Sequence, residues 1–252
     1  MRIFHISDIH LEFHIKNAHP KKIDYLVHAL LPSKDFFADV LIVAGDIAHY
    51  NHFSIPFLRR LKEHFTQILV TYGNHDLYLI SDRQQKKYHQ DSFRRLEEFK
   101  EQCARYGIVF LDNDFFEYQG ICFYGLMGWY RVEDYALWKE LSNDAKFIKG
   151  PFDPNRLFFE AYEKLLCFHR PIDILFSHVP LFDLRDEKSS YDSYYYWLGE
   201  YAKKTLSHIK KLGVKGYIFG HTHKSVDLRK DGLTIKSNPI GYHYTNQKIE
   251  IF

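Results

Sequence analysis

Carboxylate, amide and imidazole side chains follow five apolar segments of the chain, each directly after its segment ends. They are Asp8 and His10, then Asp46, then Asn74, His75 and Asp76, then His178, and finally His221 and His223. All of these groups bind metals through oxygen or imidazole nitrogen, and none is a thiolate, so the set suits Mn²⁺, iron or Zn²⁺. Because open α/β sheets bind ligands at the carboxyl ends of their strands, these residues form a candidate metal site.

The spacing of these residues favours convergence of their side chains. Asp8 and His10 are two apart, as are His221 and His223, and residues two apart project to the same side of an extended chain. Taken singly, each block has a structural explanation, because a lone histidine is often a hydrogen-bonded interior residue and Gly-Asp after a strand is often a turn. The five blocks in this order, each after an apolar segment, favour the metal site.

Short β-branched and aromatic segments alternate with segments of helical period, which is typical of strands joined by crossover helices. We predict strands over 3–7, 40–44, 68–71, 108–111, 115–118, 121–124, 172–177, 217–219, 225–228, 233–236 and 247–251. We predict amphipathic helices over 22–31, 55–65, 92–106, 156–168 and 200–212. The first half has a βαβαβ pattern, while the closely spaced strands after residue 108 are typical of hairpins. A mixed sheet system is therefore expected.

The ordered blocks resemble the calcineurin-like metallophosphoesterase superfamily, whose pattern is D-x-H, G-D-x-x, G-N-H-[DE], a lone His and G-H-x-H. The stretches from Ile6 to Phe13 and from Asn238 to Tyr242 also resemble small bacterial phosphohydrolases that carry I-S-D-x-H-L-E-F and N-P-x-G-Y. The resemblance implies an α/β fold of four layers, with two mixed β-sheets packed face to face and flanked by helices. We expect residues 1–252 to form a single domain of this kind.

The resemblance also implies a centre of two divalent metal ions, with Mn²⁺ expected and Fe or Zn²⁺ as alternatives. It assigns Asp8, His10, Asp46 and His223 to one ion, and Asp46, Asn74, His178 and His221 to the other. Asp46 then bridges the two ions. A pair of ions about 3.5–4 Å apart lowers the pKa of a shared water, so that a bridging hydroxide can attack phosphorus in line.

The resemblance makes His75 a catalytic residue that stabilises developing charge or protonates the leaving oxygen. Two alternatives stay open for His75, a further metal ligand and an orienting group. Asp76 is expected beside it, either supporting catalysis or capping a turn. Protein phosphatases of the superfamily have a second Asp in G-D-x-x-D-R-G that pairs with the catalytic His, and here His49 stands at that position. This departure disfavours a protein phosphatase and leaves open which group orients His75.

The predicted reaction is hydrolysis of a phosphodiester or nucleotide-type substrate, a small phosphorylated molecule. A phosphomonoesterase, a nuclease of the same superfamily and a non-catalytic binding scaffold are the alternatives. A nuclease needs a basic groove, and the formal net charge is only +2, so nucleic acid is not the favoured partner. A scaffold would be marked by lost ligands, and all five blocks of the pattern are present.

Two aromatic segments are candidate substrate contacts. The polar segment from Leu181 to Gly199 carries aromatic residues from Tyr191 to Trp197, and we expect either a lid over the substrate or a small satellite core. The sequence Trp129-Tyr130-Arg131 could contact a base or a phosphate, or could consist of two core aromatics and a surface charge. The sequence leaves both choices open.

The 252 residues are 46% hydrophobic and 26% charged, which excludes disorder as the main state. Three widely spaced cysteines suit a reducing compartment. The N-terminal residues lack the apolar region of a signal peptide, and the sequence has no apolar run of about 18 residues. We therefore expect a cytoplasmic protein with no membrane partner, and the sequence predicts no oligomeric state.

Overall fold

The computed structural model describes residues 1–33, 35–182, 198, 200–230, 232–243 and 247–252. The strands are β1 (Ile3–Ile6), β2 (Ala38–Ala44), β3 (Phe65–Thr71), β4 (Val109–Phe110), β5 (Asp114–Tyr118), β6 (Ile121–Leu126), β7 (Ile174–Ser177), β8 (Gly216–Ile218), β9 (Val226–Lys230), β10 (Leu233–Ser237) and β11 (Glu250–Ile251). The helices are α1 (Leu11–His14), α2 (Pro20–Leu30), α3 (Asn51–Lys62), α4 (Asp82–Lys87), α5 (Ser92–Arg105), α6 (Tyr135–Leu141), α7 (Asn143–Phe147), α8 (Pro154–Leu166) and α9 (Glu200–Lys211). A 3₁₀ turn covers His75–Leu77.

The first sheet has the strand order β11-β1-β2-β3-β4. Strands β1 to β4 pair in parallel, and β11 pairs antiparallel with β1. Parallel neighbours need a crossover connection, which α2, α3 and α5 provide between successive strands. The carboxyl ends of β1, β2 and β3 therefore lie side by side.

The second sheet has the strand order β5-β6-β7-β8-β10-β9. Its central strands pair in parallel, with α8 preceding β7 and α9 preceding β8. Its two outer pairs, β5 with β6 and β9 with β10, are antiparallel. The hairpin pattern expected after residue 108 is therefore found at the edges of this sheet.

The two sheets pack face to face, and the side chains of β2 are buried on both faces of the strand. Val40 and Ile42 form a buried cluster with Phe176 of the second sheet. The intervening Leu41 and Val43 belong instead to the core beneath the helices, as the alternation of side chains along a strand requires. Two mixed sheets flanked by helices confirm the predicted fold class.

Each predicted strand has a counterpart among the described residues, but several helix boundaries differ. The helix predicted over 55–65 is α3, which begins at Asn51 and encloses Pro56. Phe65 is the first residue of β3. Helix α4, which no sequence pattern predicted, begins with a capping box of Ser81 and Gln84. Helices α1, α6 and α7 are too short for helical periodicity to identify.

Three further expectations concern the cysteines, membrane-spanning helices and the aromatic segment. Cys103, Cys122 and Cys167 are free thiols, and the first two are buried. No helix in the described ranges is long and apolar enough to span a membrane. The aromatic segment from Tyr191 to Trp197 lies outside the described residues, so its predicted role stays a prediction.

Candidate metal centre

The predicted metal ligands follow the carboxyl ends of five strands from both sheets. Asp8 and His10 follow β1, Asp46 follows β2, Asn74 follows β3, His178 follows β7, and His221 and His223 follow β8. The structure brings all seven side chains together, because each has a polar atom within 3.5 Å of another member of the set. The site therefore forms where the two sheets meet at their strand ends.

Asp8, His10, Asp46 and His223 form a group that could hold a metal ion, because their ligand atoms lie within 4.8 Å of one another. The Nε2 atoms of His10 and His223 are 3.1 Å apart, and His223 Nε2 lies 3.5 Å from Asp8 Oδ1. The backbone N–H of His221 donates a hydrogen bond to Asp8 Oδ1 at 2.8 Å, which positions this carboxylate. Carboxylate and imidazole donors of this kind suit Mn²⁺, iron or Zn²⁺.

Asn74, His178 and His221 form a second group beside the first. The Oδ1 atom of Asn74 lies 3.1 Å from His178 Nε2 and 3.1 Å from His221 Nδ1. His178 Nδ1 lies 2.8 Å from the carbonyl oxygen of Ala44. Because a carbonyl only accepts, Nδ1 carries the proton in this contact, and Nε2 is the ring atom directed at Asn74 and the other ligands.

Asp46 joins the two groups. Its Oδ2 atom lies 3.8 Å from His10 Nε2 and 3.4 Å from His178 Nε2. Its Oδ1 atom accepts a hydrogen bond from the backbone N–H of His75 at 2.8 Å. Burial acts to raise the pKa of Asp46, but the charges of His178 and His75 outweigh burial and hold this pKa well below its usual range. An ionised carboxylate oxygen thus faces imidazoles from both groups.

The buried charges of this site fit divalent cations. Asp8 and Asp46 are at most 1% exposed, and no lysine or arginine among the described residues pairs with either. Burial raises the pKa of Asp8 and lowers the pKa of His10 to about 2. The Nδ1 atom of His10 is buried without a hydrogen-bond partner among the described residues. Buried charged groups are normally paired or coordinate metals, so metal ions would satisfy this donor set.

Five of the seven predicted ligands have a left-handed backbone. The φ angles are 49° at Asp8, 47° at His10, 54° at Asp46, 67° at His221 and 53° at His223. Residues other than glycine adopt positive φ rarely, and such strain collects at functional sites where the surrounding structure maintains it. The strain marks the points at which the chain turns sharply after β1, β2 and β8 to aim a ligand inward.

Two glycines allow the backbone to approach the ligands closely. A Cβ atom on Gly73 would lie 2.1 Å from Asp46 Oδ1. A Cβ atom on Gly220 would lie 2.8 Å from the carbonyl oxygen of Ala44 and 2.9 Å from Asp8 Oδ2. All three distances are shorter than real Cβ contacts, so any side chain at these positions would displace a predicted ligand.

His75 lies beside the predicted ligands, with its ring held by neighbours. Its Nδ1 atom lies 2.8 Å from His49 Nε2, and its ring stacks on Tyr78 with 4.3 Å between centroids. His49 Nδ1 lies 3.0 Å from Glu12 Oε1, and the backbone N–H of His49 donates to Glu12 Oε2 at 3.1 Å. Burial raises the pKa of Glu12 to about 7. The imidazole of His49, at the position of the phosphatases' second Asp, contacts His75.

Asp76 binds backbone amides. Its carboxylate accepts hydrogen bonds from Gly73 N at 2.8 Å, Asp46 N at 2.9 Å, Ile47 N at 3.1 Å and Ala48 N at 3.3 Å. Burial raises the pKa of Asp76 to about 6. These contacts correspond to the turn-capping alternative, and a role of Asp76 in catalysis stays a prediction.

Asp144 of α7 orients Asn74, although no sequence motif pointed to it. Asn74 Nδ2 donates to Asp144 Oδ1 at 2.8 Å, and Tyr78 Oη donates to the same oxygen at 2.5 Å. Tyr130 donates its hydroxyl to the other carboxylate oxygen. Because the amide nitrogen of Asn74 faces Asp144, its amide oxygen faces His178. Asp144 is 70 residues away along the chain, so local sequence spacing could not identify the contact.

Tyr242 and Phe13 form an exposed aromatic border of the site. The Tyr242 ring lies 4.5 Å from His10, 4.7 Å from His223 and 4.9 Å from Phe13, measured between centroids. Tyr242 is 39% exposed and Phe13 is 55% exposed. Both residues belong to the two stretches that resemble the small phosphohydrolases, which is the signal that could have identified them.

Trp129 and Tyr130 are buried, at 3% and 1% exposure, so they are core aromatics as the alternative interpretation held. Arg131 pairs with Glu133 at 2.9 Å. The Tyr130 ring nonetheless lies parallel to the His221 ring, with 6.2 Å between centroids. Tyr130 therefore packs beside the predicted ligands and contacts Asp144 there.

Comparison with known proteins bears on the family and the fold of this chain. Residues 1–225 match the calcineurin-like phosphoesterase family. An uncharacterized protein of Acanthamoeba polyphaga mimivirus is 26% identical over 280 residues, which cover 97% of this chain and 92% of that protein. The crystal structure of phosphopantetheinyl hydrolase from Mycobacterium tuberculosis has a similar fold, with a TM-score of 0.70 and 18% identity, covering 99% of this chain and 95% of that chain.

The family match extends over the strand-end donors described above, from Asp8 to His223. The chain therefore belongs to the calcineurin-like phosphoesterase family. It is a metal-dependent hydrolase of phosphoric esters, and the family implies divalent metal ions at the site.

Proposed function

We propose that this chain hydrolyses a small phosphodiester or nucleotide-type phosphoester at a centre of two divalent metal ions. The observation that carries the proposal is the position of Asp46 Oδ2, which lies 3.8 Å from His10 Nε2 and 3.4 Å from His178 Nε2 and so faces both ligand groups. In this proposal one ion is held by Asp8, His10, Asp46 and His223, and the other by Asp46, Asn74, His178 and His221. Mn²⁺ is the expected ion, since the donors are oxygen and imidazole nitrogen.

When bound, two such ions polarise the phosphoryl oxygens and activate water for attack on phosphorus. The protein orients the donors, as the contact between His178 Nδ1 and the Ala44 carbonyl illustrates. His75 adds an imidazole whose Nδ1 is engaged by His49. Its Nε2 is then available to stabilise charge on the phosphoryl group or to give a proton to the leaving oxygen.

Two observations support a small substrate. The mycobacterial protein with a similar fold is named as a phosphopantetheinyl hydrolase, and a phosphopantetheinyl group is a small phosphorylated one. The exposed rings of Phe13 and Tyr242 border the site and offer an apolar surface to the organic part of such a substrate. Aromatic rings bury large apolar area when a ligand covers them.

The test uses the full-length protein, stripped with a chelator and reloaded with Mn²⁺, on matched aryl phosphodiester and aryl phosphomonoester substrates. We expect Mn²⁺-dependent cleavage of the diester in preference to the monoester. Asp46→Asn should abolish turnover and reduce the bound metal from two ions per chain. Asp227→Asn, at an exposed carboxylate on β9 that pairs with Lys236, is the matched control and should change neither quantity.

Each other outcome changes the proposal. Two bound ions and full turnover in Asp46→Asn would remove Asp46 as the bridging ligand. Preference for the monoester would make the protein a phosphatase. Metal binding without turnover of either substrate would contradict hydrolysis of simple phosphoesters and favour a binding scaffold.

A further inference from the structure

A groove lies between α3, α4 and α5, with a volume of about 640 Å³. We name it the α3–α5 groove, and its lining residues lie between Tyr50 and Tyr106. None of the seven predicted metal ligands lines it. Sites for small molecules typically have volumes of about 300–1,000 Å³, so the groove is large enough for one such ligand.

Cations dominate the charge of the α3–α5 groove. Arg59, Arg83 and Arg105 line it, are exposed, and make no ion pair with any carboxylate in the described part of the chain. Lys87 also lines the groove and pairs with Glu98 at 2.6 Å, and Glu98 is the one carboxylate among the lining residues. Three arginines at one concave surface that pair with no carboxylate in the described part of the chain are an arrangement that favours an anionic ligand.

The electrostatic effect of these cations reaches a fifth lining residue. Burial lowers the pKa of His52, and the charges of Lys87 and Arg83 lower it further. His52 lies at the start of α3, about two turns before Arg59. The positive charge of the groove therefore extends to the position of His52.

A flat aromatic surface lies within the same groove. The Arg59 guanidinium lies 4.3 Å from the centre of the Tyr106 ring, and Tyr106 is 37% exposed. Guanidinium planes and aromatic rings are the surfaces on which nucleobases stack in proteins. The groove thus combines cationic groups for phosphates with a stacking surface for a planar ring.

From this combination we infer that the α3–α5 groove binds a nucleoside polyphosphate, with its phosphates on Arg59, Arg83 and Arg105 and its base on the Arg59–Tyr106 pair. Guanidinium groups bind phosphate oxygens through paired hydrogen bonds, and several arginines match the charge of a di- or triphosphate. A single nucleotide fits the groove volume better than a nucleic-acid strand, which needs an extended basic surface. The inference goes beyond the proposed function, because it concerns binding away from the metal centre.

The test measures binding of the fluorescent nucleotide mant-ADP by anisotropy, with unlabelled ADP and inorganic tripolyphosphate as competitors. It uses the full-length chain carrying Asp46→Asn, in EDTA, so that the metal centre does not contribute. We expect saturable binding of one mant-ADP per chain. The double variant Arg59→Gln/Arg105→Gln should weaken binding at least tenfold. A matched double variant, Arg170→Gln/Arg229→Gln, removes the same charge at two residues that do not line the groove and should change affinity less than twofold.

The stacking part of the inference has its own variant. Tyr106→Leu should weaken ADP at least threefold and leave tripolyphosphate unchanged, because only the nucleotide has a base to stack. Equal loss in both double variants, or no saturable binding, would overturn the site. Equal effects of Tyr106→Leu on ADP and tripolyphosphate would overturn the nucleotide assignment, as would tighter binding of a short single-stranded oligonucleotide than of ADP. Circular dichroism melting curves show that the variants are folded.

Discussion

His75 differs from the other imidazoles at the centre in what its ring nitrogens contact. Its Nδ1 atom is engaged by His49 at 2.8 Å, whereas the predicted ligands His10, His178 and His223 turn an Nε2 atom toward the shared space. Burial lowers the pKa of His75. A buried imidazole beside the ligands, held from one side, is suited to act on a phosphoryl group.

We expect His75→Ala to retain both metal ions and to lower kcat by about 10²–10⁴-fold, the usual contribution of a positioned acid or base. The measurement pairs kcat with metal content of the same samples. His89→Ala removes an exposed imidazole and serves as the control. If metal content falls together with the rate, His75 is a ligand and not a catalytic group.

The contact between His49 and Glu12 suggests a positioning role for both residues. His49→Ala should lower kcat by about 10–100-fold with metal content and KM preserved, since outer residues that orient a functional group have effects of that size. Glu12→Gln should also lower kcat, and the double variant should be no worse than His49→Ala, because Glu12 acts on His75 through the His49 ring. Additive losses in the double variant would show that Glu12 and His49 act separately.

At the scale of elements, the turns after β2 and β3 are tied to each other. The Asp76 carboxylate, which follows β3, accepts hydrogen bonds from the backbone after β2, including Ile47 and Ala48. Arg95 of α5 is 1% exposed and donates to the carbonyl oxygens of His75 at 3.2 Å and Ala48 at 2.7 Å. A buried charge that is hydrogen-bonded in this way holds two chain segments in a defined relation. Hydrogen bonds of Asp76 and Arg95 therefore hold the loops that carry Asp46 and His75 in place.

Helix α7 contributes one residue that sets a ligand's orientation. Asp144→Ala should weaken metal binding by about 10–100-fold, because Asn74 then loses the contact that fixes its amide. It should also lower the free energy of unfolding by about 1–3 kcal/mol, since Tyr78 and Asn74 lose a buried acceptor. Metal titration and urea unfolding measure the two effects.

The variant Tyr130→Phe distinguishes the orientation of Asn74 from the packing around Asp144. It removes one hydrogen bond to Asp144 and leaves the contact between Asp144 and Asn74 intact. Metal affinity should therefore stay close to that of the unmodified protein. A loss of metal binding as large as that of Asp144→Ala would show that packing around Asp144, and not the amide contact, controls the centre.

At the scale of the whole molecule, the two ends of the chain meet in the first sheet. β11 pairs with β1, and the backbone N–H of Phe252 donates to the carbonyl oxygen of Ile3 at 2.8 Å. Asn238 is fully buried and its side chain donates to the carbonyl oxygens of His5 and Lys248. These contacts support the proposal that residues 1–252 form one domain.

His5 makes the stability of this arrangement dependent on pH. It is fully buried in β1, and neither ring nitrogen has a hydrogen-bond partner among the described residues. Burial, followed by the charge of Lys236, lowers its pKa from 6.5 to about 3. The unfolded chain therefore binds a proton below pH 6.5 that the folded chain does not, and stability falls as the pH drops from 6.5 toward 3.

At pH 5.5 this residue should reduce the free energy of unfolding by about 1.4 kcal/mol relative to pH 7.5. The measurement is urea unfolding of the protein and of His5→Leu at both pH values, in EDTA so that metal release does not contribute. The unmodified protein should lose about 1.4 kcal/mol more than the variant between the two pH values. Equal losses would show that His5 does not titrate as its burial requires.

Much of this protein could be predicted from sequence, since the information is local. The apolar segment 40–44 predicts a strand, and the structure places its neighbouring side chains Leu41 and Ile42 in different buried clusters. The blocks after the strands identified a family that the comparisons confirm. Residues two apart, such as Asp8 and His10, share a side because of strand geometry alone. The fold class and the chemical types of the metal-donor residues therefore follow from short sequence blocks and their order along the chain.

Only the tertiary structure decided which distant residues orient the predicted ligands and support His75. Glu12 reaches His49 across 37 positions, and Asp144 reaches Asn74 across 70. Arg59 and Tyr106 come together because α3 and α5 lie on the same face of the first sheet, although each looks like an ordinary surface residue in sequence. Periodicity records which face a residue occupies, whereas a contact between elements depends on how the chain folds back on itself. The orientation of the ligands, the contacts that support His75 and the α3–α5 groove are therefore properties of the packed molecule.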